Sequence, residues 1–391
     1  MHSSSDRISS AEVRTGRAEP RGPGGATTGN RVRMLTDADE TFPVMLEAIA
    51  AAADHVHIEI YRIQSDHTGF RFAEALAQSA RRGAAVRVLA DAVGSMFAST
   101  ELVRVIVDAG GLFSFYRPPG LRLAPSSWHR RDHRKIVVID GRIGFVGGSN
   151  LCDEHLPPTS GGAPWRDTNL RIEGPAVREL AKVFRRAWLA ATREPLDAVR
   201  YLPPVPAAGE AEVAVIDNRE WRKRHTIRRA YYRAFRDAQR SIHLTQAYFL
   251  PDRRMRRALA AAARRGVSVR VLLGGSSDVP AVQHATRHLF GRLLNGGIRV
   301  HEWPGRVVHA KTVCVDGRWA VVGSYNIDHR SFRHNLEIVV LVSDEELGAA
   351  IDSRFSDDLA QGVEITLAGW RARSLWQRLR SAFWYALAHW F

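Results

Sequence analysis

The chain has 391 residues, a formal net charge of +15 and a sequence pI near 10.7. Its length and its 45% content of hydrophobic residues predict two or three domains with full cores, and two cysteines argue against a disulfide framework. The excess of basic over acidic residues indicates anionic partners, either nucleic acid or an anionic membrane surface. No apolar run reaches the roughly 18 residues of a membrane span, and we expect no signal peptide because the first residues lack an apolar core.

The first half of the predicted fold follows a tail. Residues 1–33 are rich in Ser, Gly and Arg and lack hydrophobic periodicity, which predicts a disordered segment. We assign residues 34–194, in which helices and strands alternate, to the first half. The expected elements are helices at about 41–53, 70–82, 99–108 and 175–192, and strands at about 55–63, 85–90, 112–116 and 168–173.

A linker separates this half from a second one. Residues 195–210 have the Pro-rich composition of a linker, and the element order then restarts. A basic helix at about 222–237 corresponds to the first helix of the first half, and a strand at about 241–249 corresponds to its first strand.

The second half, residues 211–365, is therefore predicted to be an internal duplicate of the first. In this alignment Tyr248 stands opposite Tyr61, and Gln246 replaces Glu59. Strands separated by helices predict an α/β fold with mainly parallel sheets and helices packed outside them.

One motif is written twice, at 133–150 and at 309–326. Both copies read H-x-K-x4-D-x6-G-[GS]-x-N. Alternation places the His and the Lys on one face of a strand, and the Asp-Gly that follows predicts a tight turn. A single copy could be a hairpin with surface side chains, but two copies with unchanged spacing favour a shared site. The chain has only four lysines among 56 basic residues, and two of them are Lys135 and Lys311.

The doubled motif resembles the phospholipase D superfamily, whose members join two such half-sites into one active site. Trp165-Arg166-Asp167, together with Asn326-Ile327-Asp328-His329-Arg330-Ser331 and Asn335-Leu336-Glu337, resembles bacterial cardiolipin synthases of the class without N-terminal transmembrane helices. The resemblance covers roughly residues 34–375. It implies two mainly parallel sheets about a pseudo-twofold axis, with the active site at their seam.

The resemblance also implies roles for residues that match the motif. His133 is expected to be the nucleophile that forms a phosphohistidine, and His309 the general acid and then base. Lys135, Lys311, Asn150 and Asn326 are expected to hold the phosphoryl oxygens.

Further residues are assigned to support and substrate binding. Asp167 and Glu337 are expected to accept from the second nitrogen of a histidine, as family members' carboxylates do. Asp140 and Asp316 end their strands and are expected to be structural. The residues expected to line the substrate pocket are Glu59, Tyr61 and Tyr248. We expect no cofactor and no metal, since clustered metal-ligand motifs are missing from the sequence.

Three functions are compatible with these features. The first is a phosphatidyltransferase that makes cardiolipin at the cytoplasmic face of the bacterial inner membrane, with anionic phospholipids as partners. The second is a phospholipase D or nuclease that uses water as the acceptor. The third is a catalytically silent binding protein, which two intact half-sites argue against. No nucleic-acid-binding module is recognisable, so no nucleic acid is expected; donor lipid, acceptor lipid and oligomeric state stay open.

The C-terminal segment, residues 366–391, predicts a basic amphipathic helix. Its basic residues are Arg371, Arg373, Arg378 and Arg380. Its apolar stripe is Trp376, Leu379, Phe383, Leu387 and Trp390, widened by Trp384, Tyr385 and Phe391. Aromatic and basic residues together favour a helix that lies in the lipid headgroup plane. The alternative is a helix docked on its own domain.

Overall fold

The computed structural model describes residues 25–118, 130–160, 162, 165–218 and 225–388. Its first strand, β1 (Thr27–Thr36), starts inside the segment predicted to be a tail, so that boundary at residue 33 is wrong, and residues 1–24 lie outside the described part. The strand was missed because only Asn30 and Leu35 are buried on it, which leaves little hydrophobic pattern.

The first half matches the predicted order of elements. Asp66 and Ser99 cap the second and third helices by accepting from backbone N–H groups three residues on, which fixes where those helices begin. The further strands are β2 (His55–Ile60), β3 (Ala85–Asp91), β4 (Leu112–Tyr116), β5 (Ile136–Ile139), β6 (Ile143–Gly147), β7 (Trp165–Arg166) and β8 (Thr168–Glu173). The helices are α1 (Asp37–Ala50), α2 (His67–Arg81), α3 (Thr100–Val107) and α4 (Ala176–Thr192).

The second half repeats this order after a short connecting helix. Its strands are β9 (Ala211–Asp217), β10 (Ser241–Gln246), β11 (Ser268–Ser276), β12 (Arg299–Val308), β13 (Lys311–Val315), β14 (Trp319–Gly323), β15 (Ile338–Ser343) and β16 (Val363–Ile365). The helices are α5 (Ala198–Tyr201), α6 (Thr226–Asp237), α7 (Arg253–Arg264), α8 (Pro280–Asn295), α9 (His329–Arg333), α10 (Glu345–Ala360), α11 (Leu367–Arg371) and α12 (Leu375–Ala386).

The strands form one continuous order, β4-β3-β2-β5-β6-β8-β1-β9-β15-β14-β13-β10-β11-β12-β16. Counted outward from the central β1–β9 pair, corresponding strands of the two halves follow one another in the same order, which shows the duplication directly. The pairing differs from the expected mainly parallel sheets. Within the paired strands only β2-β3-β4, β10-β11-β12 and β7-β12 are parallel. The rest are antiparallel, among them the β5–β6 and β13–β14 hairpins in which each motif strand turns directly into its neighbour.

A core at the seam joins the halves. Apolar side chains of β5, β6 and β8 pack with those of β13, β14 and β15 in one buried cluster. The short strand β7 belongs to the first half by sequence but pairs with β12 of the second. The predicted linker, 195–210, also packs against the first half, where Leu196 and Tyr201 are buried. Among the described helices none is long and apolar enough to cross a bilayer.

Strand register corrects one part of the predicted alignment. Val56 of β2 pairs with Ile139, and Ile242 of β10 pairs with Val315, which occupies the same motif position as Ile139. The two strands therefore align one residue away from the prediction. The counterpart of Tyr61 is Ala247, that of Tyr248 is Arg62, and Gln246 corresponds to Ile60 rather than to Glu59. A shift of one residue reverses the face on which every side chain lies.

Candidate active site

The two motif histidines are held by the opposite half of the chain. His133 is 9% exposed, and its N–H donates to the Leu336 carbonyl at 2.9 Å. His309 is 4% exposed, and its N–H donates to the Arg166 carbonyl at 2.7 Å. Each motif histidine is thus held in place by a backbone hydrogen bond to the opposite half of the chain.

The histidine side chains are also oriented across the seam. His133 Nδ1 lies 3.0 Å from Glu337 Oε2, and His309 Nδ1 lies 2.7 Å from Asp167 Oδ2. The sequence identified both carboxylates but not this crossed pairing. Because a carboxylate only accepts, each Nδ1 carries a proton and each Nε2 is left for chemistry.

Two buried lysines stand beside the imidazoles. Lys135 Nζ donates to the His133 carbonyl at 2.8 Å, and Lys311 Nζ donates to the His309 carbonyl. Burial and then the nearby Lys311 charge lower the pKa of Lys135 to about 7. Burial also lowers the pKa of Lys311. Two ammonium groups so close together and so poorly hydrated favour an anion between them.

Burial acts on the histidines as well. It lowers the pKa of His133, and it lowers the pKa of His309 well below its ordinary value, with the Lys311 charge adding to the effect at His309. Burial alone would raise the pKa of Glu337, but the His133 contact and the Ser324 hydrogen bond bring it below its ordinary value. Both imidazoles are therefore neutral near pH 7 until an anion approaches.

The motif asparagines complete a polar wall. Asn150 and Asn326 follow β6 and β14, are buried, and have side-chain oxygens without a hydrogen-bond partner among the described residues. The small residues before them differ in function. A Cβ on Gly148 would lie 2.1 Å from Asp167 Oδ1, whereas Ser324 at the matching position donates to Glu337.

The Trp-Arg-Asp segment links the halves. The Trp165 ring lies 5.1 Å from the His309 ring, and Arg166 Nε donates to Asp358 Oδ2 at 2.7 Å. The third residue of the segment, Asp167, contacts His309. Pairing of β7 with β12 positions all three.

Sequence reasoning missed His155. This buried residue accepts from the Asn150 N–H at Nε2 (3.4 Å), and its Nδ1 lies 3.7 Å from Asp167 Oδ2. No motif flagged it; a histidine in the loop between the first motif and Trp165 was the only signal. Donor atoms of His155, Asp167 and His309 lie within 4.8 Å of one another. A metal there would compete with the hydrogen bond that orients His309.

The three residues expected to line the pocket have different positions. The Tyr61 ring lies 4.8 Å from the His133 ring, and Lys135 Nζ lies 5.2 Å from the Tyr61 centroid, so Tyr61 is beside the site. Tyr248 donates to Asp278 at 2.6 Å. Burial, and then the neighbouring Asp278 carboxylate, raises the pKa of Tyr248 well above its ordinary value, with a smaller contribution from Tyr61.

Glu59 was placed wrongly by the sequence. Its buried carboxylate contacts Arg134 Nη2 at 2.6 Å. Arg134 alternates with His133 and Lys135 along the extended chain, so it points to the other face. Arg134 also pairs with Asp132 at 2.9 Å, which makes this an internal ion cluster beneath the site and not a substrate contact.

The motif aspartates hold neighbouring strands. Asp140 accepts from the N–H groups of residues 53–55, and Asp316 from those of residues 239–241, at 2.7–2.9 Å. Both have a positive φ, 52° and 57°, at the turn after the motif strand. These contacts fit the structural role expected for them.

Comparison with known proteins gives consistent matches. The family model described as "Cardiolipin synthase, PLD-like domain" matches residues 45–188 and 231–359. A cardiolipin synthase of Staphylococcus aureus is 34% identical over 359 residues, covering 90% of this chain and 72% of that protein. Cardiolipin synthase 2 of Bacillus anthracis is 34% identical over 349 residues, covering 89% and 68%. The fold is similar to the crystal structure of phosphatidylserine synthase from Haemophilus influenzae, with TM-score 0.68, 14% identity and coverage of 92% and 95%.

Proposed function

Because the chain belongs to the cardiolipin synthase, phospholipase D-like family, we propose that it makes cardiolipin by moving a phosphatidyl group between two phospholipids. It is an enzyme of the phospholipase D superfamily. The observation that carries the proposal is the crossed pair of oriented histidines, His133 with Glu337 and His309 with Asp167, beside two buried lysines. This arrangement can transfer the phosphatidyl group twice, first to a histidine and then to the hydroxyl of the acceptor lipid.

The phosphodiester of the donor lipid binds between the half-sites. Lys135 and Lys311 neutralise its negative charge, and the amides of Asn150 and Asn326 hold the non-bridging oxygens. Such preorganised donors act most strongly on the charge that develops in the transition state, and each contributes about 3 kcal/mol.

The first step forms a covalent intermediate on His133. Its Nε2 attacks phosphorus, the bond from phosphorus to the headgroup oxygen breaks, and the departing alkoxide takes the proton from His309 Nε2. Glu337 stabilises the positive charge that His133 acquires. The products of this half-reaction are the free headgroup alcohol and a phosphatidyl-histidine.

The second step reverses these roles. The hydroxyl of a second phospholipid gives its proton to neutral His309 while its oxygen attacks phosphorus, and the bond to His133 breaks. His309 ends protonated and His133 ends neutral, so the enzyme returns to its starting state. Asp167 stabilises the imidazolium of His309 in each cycle.

The assignment of His133 as nucleophile rests on the family resemblance. The pKa directions pull the other way, because the pKa of His309 is lowered more strongly and a neutral imidazole is the better nucleophile. A bound phosphodiester raises both pKa values, which lets His309 hold the proton that the leaving group needs.

Product analysis tests the proposed function. Purified protein is mixed with phosphatidylglycerol vesicles, with and without phosphatidylethanolamine, and the lipids are identified by mass spectrometry. We expect cardiolipin with release of glycerol, at the same rate when a chelator is present. Phosphatidic acid as the sole product would identify a hydrolase instead, and the His133→Ala protein is the negative control. We place this activity at the cytoplasmic face of the inner membrane.

A further inference from the structure

Two exposed apolar segments lie far apart in the sequence. In the first half, Met96 and Phe97 are each 66% exposed in the loop after β3. In the C-terminal segment, four exposed apolar residues lie on α12: Leu375, Trp376, Leu379 and Phe383. Trp376 is 72% exposed, more than any other large apolar residue of that helix. Large side chains of this kind are seldom left in water in groups unless something covers them.

Helix α12 docks on the protein through a face other than the predicted stripe. Trp384 and Tyr385 pack on the core of the second half, and the Tyr385 ring stacks on His288 of α8 at 4.6 Å. Trp376, Leu379 and Phe383, which belong to the stripe, are exposed and face away from the domain. Thus the helix is docked on its domain, and these three residues of its amphipathic stripe are still exposed. Leu387 is half-buried, and Trp390 and Phe391 lie outside the described residues.

Both segments lie at the edge of the sheet that carries the active site. The loop with Phe97 follows the carboxyl end of β3, and α8 follows the carboxyl end of β11. Arg380 lines the same cavity as His284 in the second turn of α8, and Tyr385 contacts His288 and Arg292 farther along that helix, so α12 runs beside α8 in the same direction from the same edge. The motif histidines precede β5 and β13, which are antiparallel to β2 and β10 and start at this edge.

The edge is positively charged. Arg373, Arg378 and Arg380 have no carboxylate within ion-pair distance in the described parts of the chain. Burial, followed by the charges of Arg378 and Arg287, lowers the pKa of Arg373. A cavity of about 340 Å³ opens between α8, α11 and α12, lined by Arg287, Arg373 and Arg380.

The acids of this cavity are already neutralised. Glu302 is paired with Arg287 at 2.7 Å, and Glu364 with Arg299 at 2.6 Å. Arg373 and Arg380 therefore leave a net positive charge at a site the size of a phosphate-bearing headgroup.

We propose that this edge is the membrane-docking surface, formed by the Met96–Phe97 loop, the Trp376–Leu379–Phe383 stripe and the arginine-lined cavity. Its occupant is the headgroup layer of an anionic bilayer. The apolar side chains enter the interface, the arginines contact phosphates, and the active site opens directly towards the lipids. This inference rests on the proposed function only in taking a phospholipid bilayer as the surface that is bound.

Vesicle binding tests the surface without requiring turnover. Full-length protein is sedimented with vesicles of equal parts phosphatidylglycerol and phosphatidylcholine, and with phosphatidylcholine alone. Wild type should prefer the anionic vesicles and be released by salt. We expect Trp376→Glu and Phe97→Glu each to weaken binding about tenfold, since each loses the transfer of one large apolar side chain. These side chains are exposed, so the variants should fold normally.

Val199→Glu is the matched control. Val199 is 87% exposed on α5, whose neighbour Arg200 pairs with Asp54 before the amino end of β2, at the opposite edge. This control should bind as wild type. Unchanged binding of Trp376→Glu and Phe97→Glu would overturn the proposal. So would a wild-type dimer that Trp376→Glu converts to monomer in sedimentation velocity, because the occupant would then be a second copy of the chain.

An activity measurement separates this inference from the proposed function. Both variants should keep their rate on a soluble short-chain phosphatidyl donor and lose rate on vesicles. Protein that binds anionic vesicles through this edge but makes no cardiolipin would disprove the proposed function and leave the docking surface standing. Equal loss on the soluble donor would count against docking and indicate damage to the catalytic site.

Discussion

The two half-sites have the same plan and different supporting residues. Asp167 and Glu337 occupy corresponding places, two residues before Asn169 and Val339, which pair with Gly147 and Gly323. The shorter acid needs a glycine beside it, at 148, and lies near His155. The longer acid is held by a serine hydroxyl and by Asn335 Nδ2 at 3.2 Å.

We propose that this difference supports two different chemical roles for the duplicated half-sites. Glu337 has extra donors that keep it anionic and fixed, so the imidazole it orients can carry positive charge through a covalent step. Asp167 also lies near the neutral imidazole of His155, and His309 packs beside Trp165. His309 is the more buried histidine, and burial lowers its pKa well below the ordinary value, so it gives up a proton easily. In this proposal the family resemblance assigns the roles, and the unequal partners are the structural difference between His133 and His309.

The largest expected effect comes from removing either histidine. His133→Ala and His309→Ala should each abolish cardiolipin formation, by about four orders of magnitude or more, because both bond-breaking steps need both imidazoles. Mass spectrometry of the lipid products measures this, and the exposed-site variant Val199→Glu, purified in the same way, is the control and should keep its activity. Substantial activity in either variant would break the comparison, since the half-sites would then be independent.

Removing the charge of an orienting carboxylate should have the next largest effect. Glu337→Gln and Asp167→Asn keep the shape but stabilise the wrong tautomer, and we expect losses of about a thousandfold in kcat with little change in KM. The informative comparison is between steps. Glu337→Gln should slow formation of the covalent adduct more than Asp167→Asn does, as measured by rapid quench with labelled donor.

Exchanging the small residues sharpens the comparison further. Gly148→Ser places a Cβ against Asp167, so the carboxylate must move from His309, and we expect roughly a hundredfold loss in kcat. Ser324→Gly removes one hydrogen bond from Glu337, and we expect only about a tenfold loss. Circular dichroism melting shows whether each variant folds. Equal losses at the two positions would mean that the asymmetry has no catalytic consequence.

The smallest effect is a pH dependence. With a pKa of about 7, Lys135 is charged below that pH and neutral above it. Anionic donor binds the charged form, so kcat/KM should fall about tenfold per pH unit as pH rises through this range. Lys135→Arg keeps its charge and should shift that limb upward while lowering the overall rate. An unshifted limb would assign the titration to a histidine.

Much of the site could be predicted because motif spacing is a local property. The histidines, lysines and asparagines were found from two short stretches of sequence, and the family resemblance supplied the two carboxylates that follow them. The crossed pairing could not be found, since it depends on how β7 and β12 meet across the seam. His155 lies in no pattern, and its position follows from the fold alone.

The order of the helices and strands was predicted from the sequence, but the register in which the strands pair was not. Alternation of helices and strands gave the duplication, while the half-exposed β1 lacked a pattern that could be recognised. Two tyrosines suggested an alignment of β2 with β10 that hydrogen-bond pairing with the motif strands displaces by one residue. Glu59 was assigned to the wrong place because an acidic residue in a strand can belong to a buried ion cluster or to a substrate pocket, and the sequence does not distinguish the two.

The unequal roles of the histidines can be tested most directly by trapping the covalent intermediate. Wild-type protein is mixed with a donor lipid labelled in its phosphatidyl group, quenched within milliseconds at alkaline pH, and mapped by peptide mass spectrometry. The label should be on His133, should form slowly in His309→Ala, and should be absent from His133→Ala. Label on His309, or cardiolipin formed at full rate with no labelled protein at any time, would contradict this account.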